Sequence, residues 1–221
     1  MIDLHTHSIL SDGILIPSEL VRRAYVNGLR AIAITDHVDH SNIEPVITGL
    51  VKAAAAINKY WDIYVIPGVE ITHAPLETFE ELVNMARDRG AGIVIGHGES
   101  SVEPVIKGTN AAAIQAGVDI VAHPGFILEE DAALAAEKGV YLEITARKGH
   151  SETNSHVFET AVRTGAGVVL NTDAHAPEDI LTKETRDAIL RGLTGSEELI
   201  AGILRNSEDI VARIKGGKVP Y

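Results

Sequence analysis

His5 and His7 stand two residues apart at the end of the first apolar run, Ile2–His5, and Ser11-Asp12-Gly13 follows closely. On a strand, side chains two apart point to the same side. Both imidazoles can therefore aim at one point, and a metal ion is the commonest reason for histidines to do so. Taken alone, the pair is equally compatible with two solvated histidines on a surface strand. Later segments weigh against that alternative. Ala31–Thr35 leads into Asp36 and His37. Ile63–Ile66 runs through Pro67-Gly68-Val69 to Glu70, and Ile93–Ile95 runs through Gly96 to His97. Ile120–Val121 ends at Ala122-His123-Pro124-Gly125, and Val168–Leu170 ends at Asn171-Thr172-Asp173-Ala174-His175.

The candidate ligands are thus His5, His7, Asp12, His37, Glu70, His97, His123, Asp173 and His175. Each has a plainer reading as a hydrogen-bonded structural histidine, a helix cap or a surface carboxylate. Chance seldom places histidine or a carboxylate after so many strands at one edge. A single zinc ion takes about four ligands, so this set suits two or three divalent ions. With no cysteine in the chain, the donors are nitrogen and oxygen, which favours Zn, Mn or Fe over softer metals and makes Mg less suitable. Glu70 is the candidate bridge between two ions.

These residues need a scaffold that brings strand ends together. Seven short apolar runs alternate with helical periodicity, the pattern of parallel βα units; the remaining run, Val140–Ile144, carries Glu143 and ends Thr145-Ala146-Arg147-Lys148. A helix is expected to start at Pro17 and be capped by Gly28, and another to run over Ile43–Tyr60 with Asn42 as a candidate N-cap. Thr78-Phe79-Glu80-Glu81 reads as a capping box for a helix ending at Gly90. Further helices are expected over Thr109–Ala116, Glu129–Lys138 and Thr153–Thr164, each closed by glycine. The tail reads as Glu184–Leu193, Glu197–Arg205 and Glu208–Lys215, with Ser196 and Ser207 as caps. A closed α/β barrel gathers all strand ends at one mouth, whereas an open doubly wound sheet spreads them along a line. The polar residue at every strand end favours the barrel, with residues 1–221 as one domain.

Composition sets further bounds. Apolar residues make up 45% of the 221, and charged residues 23%. No apolar run approaches the roughly 20 residues of a membrane span, and no signal-peptide pattern opens the chain. These features and the absence of cysteine suit the cytoplasm. The net charge of −12 opposes a general grip on extended nucleic acid but admits a small anion beside bound cations.

As an ordered set, His5-x-His7 with Ser11-Asp12-Gly13, Thr35-Asp36-His37, Gly68-Val69-Glu70, Gly96-His97, Ala122-His123-Pro124-Gly125 and Asp173-Ala174-His175 resembles the motifs of the PHP (polymerase and histidinol phosphatase) family. The resemblance implies a distorted (β/α)7 TIM-like barrel with a three-metal site. It implies one ion on His5, His7, Glu70 and Asp173, a second on Glu70, His97 and His123, and a third on Asp12, His37 and His175. Amidohydrolases also open with His-x-His, but they typically carry a bridging lysine where this chain has His97.

Such a cluster suits phosphoester hydrolysis, with a hydroxide held by the ions as nucleophile. The expected substrate is a small phosphomonoester: histidinol-phosphate-like, a nucleotide or a sugar phosphate. Hydrolysis of phosphodiesters or trimming of nucleic-acid ends is the alternative, and a metal-binding module without turnover is a third reading. Arg147 and Lys148 are candidate phosphate contacts. His150 is the candidate general acid, with an exposed loop position as its alternative. His40 and His73 are candidate substrate or proton-transfer groups, Asp36 is expected to orient a ligand, and His156 is expected to be structural. Trp61 is expected away from the mouth.

Overall fold

A computed structural model describes residues 1–216. In chain order the elements are β1 (Ile2–Asp3), α1 (Pro17–Val26), β2 (Ala31–Ile34), β3 (His37–Val38), α2 (Ile43–Tyr60), β4 (Tyr64–Ile71), α3 (Phe79–Asp88) and β5 (Ile93–His97). They continue with α4 (Thr109–Ala116), β6 (Ile120–Ala122), α5 (Glu129–Lys138), β7 (Tyr141–Thr145), α6 (Asn154–Thr164), β8 (Val168–Asn171), α7 (Lys183–Leu193) and α8 (Glu197–Gly216). All pairings are parallel, in the order β1-β2-β4-β5-β6-β7-β8, with the short β3 pairing on β4. A parallel bridge between Thr6 and Ala174 nearly closes the ring, with His7 N donating to Ala174 O at 2.8 Å and Asp173 N to His5 O at 2.9 Å. The result is the expected α/β TIM-like barrel of seven parallel strands rather than an open sheet.

The period of two along β4 and β5 explains how this barrel brings Glu70 and His97 to one end. Ala31, Ala33, Ile66, Ile93, Ile95, Ile120, Ala122 and Val169 form the apolar filling of the barrel, while Ile32, Ile34, Val65, Val69, Val94, Val121, Leu142 and Leu170 pack in the larger core around it. Counting on in twos along β4 and β5, the inward series ends at Glu70 and His97. The series 31, 33, 35 continues to His37. Glu70, His97 and His37 are therefore the last inward residues above an apolar plug, whereas His123 follows the inward Ala122 directly and turns in with φ at 28°.

Glycines close α4, α5 and α6 in left-handed geometry, and Pro17 starts α1, as their sequences dictate. Four local expectations fail. The ladder of β1 stops at Asp3 because Leu4 N donates to the Asn171 side chain at 2.9 Å instead of to a strand. Thr78 makes no capping box: it ends a 3-10 turn, Leu76–Thr78, and its hydroxyl donates to Pro75 O at 2.8 Å. Asn42 does not cap α2, because its side chain is spent on Asp39 N and His37 O. Ser207 starts no new helix. It is buried within the continuous α8, which lays Ile210, Val211 and Ile214 against the barrel filling. That helix covers the end where the strands begin, beside Ile2, Ala31, Tyr64 and Trp61, so Trp61 lies away from the mouth.

Candidate metal centre

At the opposite end of the barrel nine side chains converge. His5 and His7 bring their Nε2 atoms to 3.0 Å of each other. Asp173 Oδ1 lies 3.0 Å from His7 Nε2 and 3.5 Å from His5 Nε2, and Glu70 Oε2 lies 3.3 Å from His5 Nε2. His123 Nε2 is 3.7 Å from both Glu70 Oε1 and Asp173 Oδ2. Asp12 Oδ1 approaches His175 Nε2 at 3.2 Å and His37 Nε2 at 3.6 Å. Ligand atoms cluster within 4.8 Å in the groups His5-His7-Glu70, His5-His123-Asp173, Glu70-His97-His123 and His7-Asp12-His37-His175. The structure thus brings all nine residues into one connected set.

The fit to cations rests on the donors themselves. His7 Nδ1, both Glu70 oxygens, His123 Nδ1 and Asp173 Oδ1 are buried without a hydrogen-bond partner. Leaving such atoms dry and unpaired is costly, and divalent ions would satisfy them. Charge balance tells the same story. Burial lowers the His5 pKa more than any other single influence, yet Glu143, Glu70 and Asp173 together raise it well above the usual value. Burial likewise opposes a charge on His37, but Glu70 above all lifts it to about 9. Burial pushes Glu70 up, and the neighbouring His5 and His37 charges overcome it and hold Glu70 well below the usual carboxylate range. Asp173 is raised to about 6, chiefly by burial. Burial, then the adjacent imidazoles, drives His7 and His123 well below the usual histidine value. Without ions, the cluster balances its carboxylates with protons.

The supporting residues were largely invisible in the sequence. Glu143, on the inward face of β7, accepts from His5 Nδ1 at 2.8 Å, from Asn171 Nδ2 at 2.9 Å and from His123 N at 3.3 Å. A lone carboxylate inside an apolar strand was the available signal. Asp179 accepts from the His175 and Ala176 amides at 3.1 and 3.0 Å and so holds the last motif in place. Glu103, in the loop after β5, meets His97 Nε2 at 3.0 Å, His150 Nε2 at 3.4 Å and His73 Nε2 at 3.6 Å; nothing in its sequence context marks it. Two glycines make the close loop packing possible. A Cβ at Gly13 would collide with the His7 carbonyl, and one at Gly125, where φ is +64°, with that of Glu99.

The remaining candidates divide. Arg147 sits at the cluster's edge, with its Nη1 3.3 Å from Asp179 Oδ2 and its Nε 3.9 Å from Asp173 Oδ2. Lys148 is exposed on the same loop. His150 is not an exposed loop histidine: it is buried, its Nδ1 lies 2.7 Å from Ser100 Oγ, and its ring centroid lies 4.4 Å from that of His123. Asp36 turns its carboxylate to Ser8 and Ser11, whose amides and hydroxyls it accepts at 2.7–3.1 Å, and so fixes the loop that carries Asp12. His73 is half-exposed beside Glu103. His40 departs from expectation: the turn over Asp39–Asn42 carries it outward, where it faces Glu81 of α3 at 3.7 Å rather than the cluster. His156 meets Ile127 O at 2.9 Å, a structural contact.

Comparison with known proteins agrees with this geometry. A family model described as PHP domain matches residues 3–97. An uncharacterized protein of Methanocaldococcus jannaschii, MJ1295, is 46% identical over 216 residues, covering 96% of this chain and 99% of that protein. The DNA polymerase/3'-5' exonuclease PolX of Bacillus subtilis is 27% identical across 96% of this chain, which spans 40% of PolX. Among solved structures, a chain of archaeal ribonuclease P with mature tRNA superposes with a TM-score of 0.73 at 17% identity, covering 98% of this chain and 92% of that one. The histidinol phosphate phosphatase of Lactococcus lactis, solved with zinc, L-histidinol and phosphate, gives 0.60 at 16% identity, covering 87% and 93%. At these identities the two structures speak for the fold. Over residues 3–97, a stretch that holds His5, His7, Asp12, His37, Glu70 and His97 of the cluster, the chain matches the PHP domain family.

Proposed function

We propose that the chain hydrolyses a small phosphomonoester at this cluster, with His5, His7, Glu70 and Asp173 holding one divalent ion, Glu70, His97 and His123 a second, and Asp12, His37 and His175 a third. The observation that supports it most is the set of buried, unpartnered ligand atoms on Glu70, Asp173, His7 and His123 beside a guanidinium. Ions bound there would supply the nucleophile and take up charge from the leaving oxygen. The protein's own part is positioning. Glu143 and Asn171 hold His5 from beneath. Arg147 offers a planar fork to phosphate oxygens, which compete for it with Asp179. His150, braced by Ser100 at Nδ1 and facing Glu103 at Nε2, would hand a proton from Nε2 to a leaving alkoxide.

Hydrolysis of nucleic-acid ends is the second reading, and one observation favours it. Phe126, three residues after His123, is 68% exposed and offers a ring on which a base can stack. PolX is named for exonuclease activity, and the ribonuclease P chain was solved with tRNA. The acidic net charge alone therefore does not set nucleic acid aside. Against a long strand stands the acidic rim, where Glu103 lies 3.0 Å from His97, Asp12 3.2 Å from His175 and Asp179 3.3 Å from Arg147. The deciding experiment compares an aryl phosphate, an aryl phosphodiester and a short single strand, each with added Mn or Zn. Preferential turnover of the monoester supports the first reading. Preferential turnover of the diester or the strand supports the second, and turnover of none, with metal bound, overturns both.

A further inference from the structure

Among the described residues one more group has ligand geometry, and it shares His97 with the nine: His73, His97 and Glu103, whose ligand atoms fall within 4.8 Å of one another. We propose that this triad captures a divalent cation from solvent and passes it to the inner Glu70-His97-His123 group through His97, the imidazole common to both. The proposal rests on the metal-centre reading of the inner cluster but on no particular substrate.

Three observations carry it. The first is exposure. The Glu70 side chain is 0% exposed and that of His123 2%, whereas those of His73 and Glu103 are 44% and 35% exposed. A cation arriving from water meets the triad before it meets the inner donors. The second is the bonding of His97. Its Nδ1 lies 3.1 Å from Gly98 O and donates there, so Nε2, 3.0 Å from Glu103 Oε2, is the one ring nitrogen that can give a lone pair to a cation. One lone pair serves one cation at a time, so the outer and inner groups cannot both hold a full complement. Alternate occupation makes the triad a staging post rather than a permanent fourth site. The third is the construction of the outer group. Glu103 is braced from behind by His150 at 3.4 Å, itself fixed by Ser100, so that Oε2 faces His97 and His73. His73 holds φ at 51°, in the left-handed region. Among the described residues the other non-glycines there are His123 and Asp173, both members of the inner cluster. Such backbone strain persists only where the surroundings demand it.

The test is the rate of metal uptake. Metal-stripped protein is mixed with Co2+ or Zn2+ in a stopped-flow instrument, and bound metal is counted at equilibrium by elemental analysis. Glu103→Gln removes the capturing charge. His73→Asn removes an imidazole while suiting the positive φ. We expect either variant to load about tenfold more slowly, the scale on which local charge alters association rates, and to reach the wild-type final count. Unchanged loading rates overturn the proposal. A lower final count in either variant also overturns it, because the triad would then be a permanent site. Failure of the wild-type protein to bind any ion would overturn the metal-centre reading itself, before the variants are compared.

Discussion

His5 Nδ1 donates to Glu143 Oε2 at 2.8 Å, in a pair fully shut off from solvent. This bond fixes the tautomer, so Nε2 is the atom left with a lone pair, and Nε2 is the atom that faces Glu70, Asp173 and His7. Carboxylate–histidine support of this kind raises ligand basicity and holds the ring in place. Glu143→Gln keeps the volume but loses the charge that His5 answers to. We expect zinc to bind the variant some 10–100-fold more weakly, by the usual effect of such supporting groups. A competitive chelator titration measures it, and wild-type affinity would reduce Glu143 to a packing residue.

Removing the proposed ligands themselves should act on a larger scale. Glu70 reaches toward His5, His7, His37 and His123. His5→Ala and Glu70→Ala are each expected to lower bound metal by at least one ion and to cut turnover of an aryl phosphate to background. Metal analysis and initial rates check this together. A variant with both wild-type metal content and wild-type rate would remove its residue from the ligand set.

Acid–base linkage makes the metal-stripped protein a reporter on the cluster. His37 has its pKa raised from 6.5 to about 9, and His5 is raised in the same sense. A histidine whose folded pKa lies above its unfolded value stabilises the fold fully below the unfolded pKa, and that contribution is lost as pH rises through the folded one. Stability of the stripped protein should therefore fall between pH 6.5 and about 9, by an amount on the order of 3 kcal/mol for His37 alone. Histidines must be deprotonated to bind metal, so the loaded protein should escape this decline. Thermal melts with and without chelator, taken across that window, decide it. Equal trends in the two samples would mean that these histidines are not where the ions bind.

Much of this was legible in the sequence because the barrel's period of two writes it there. Glu70 and His97 are the final inward residues of runs whose earlier inward members are Ile66, Ile93 and Ile95, so strand parity alone carries them to the mouth. The residues that brace the ligands obey no such rule. Glu103 and Asp179 reach the site from loops, and Ser100 finds His150 across 50 residues of chain. His150 looked like a loop histidine because burial at a mouth is made by neighbouring loops, not by its own. Asn42 and Thr78 misled for a related reason. Each has the side chain of a cap, but tertiary and turn partners claimed the hydrogen bonds first. His40 follows His37 closely, yet one turn is enough to send it to the outer surface.

Arg147 tests the phosphate-binding half of the proposal. Its guanidinium is a third exposed, lies beside Asp173 and is tethered to Asp179. Charge-assisted bonds to phosphate contribute about 1.5–3 kcal/mol each, so Arg147→Ala should raise KM for a phosphomonoester by roughly 10–100-fold. Bound metal should stay at the wild-type count. Steady-state kinetics with parallel metal analysis separates the outcomes. An unchanged KM would make Arg147 a strut for Asp179, and lost metal would place its role with Asp173.

Phe126 separates the substrate classes. Its ring lies edge-on to His156, with centroids 5.4 Å apart, and leaves the rest of its surface to solvent. Stacking a base on such a ring contributes about 1–3 kcal/mol, whereas a sugar or alkyl phosphate has no planar face to offer. If the organic half of the substrate is a nucleobase, Phe126→Ala should raise KM for a nucleoside monophosphate by roughly 5–150-fold and leave glycerol phosphate unchanged. The ring is exposed and its loss opens no cavity, so the variant should melt with the wild type. Equal KM changes for both substrates would point to a displaced loop carrying His123. No change for either would remove the base from the recognition scheme, leaving Arg147 and the metal centre to recognise the phosphate alone.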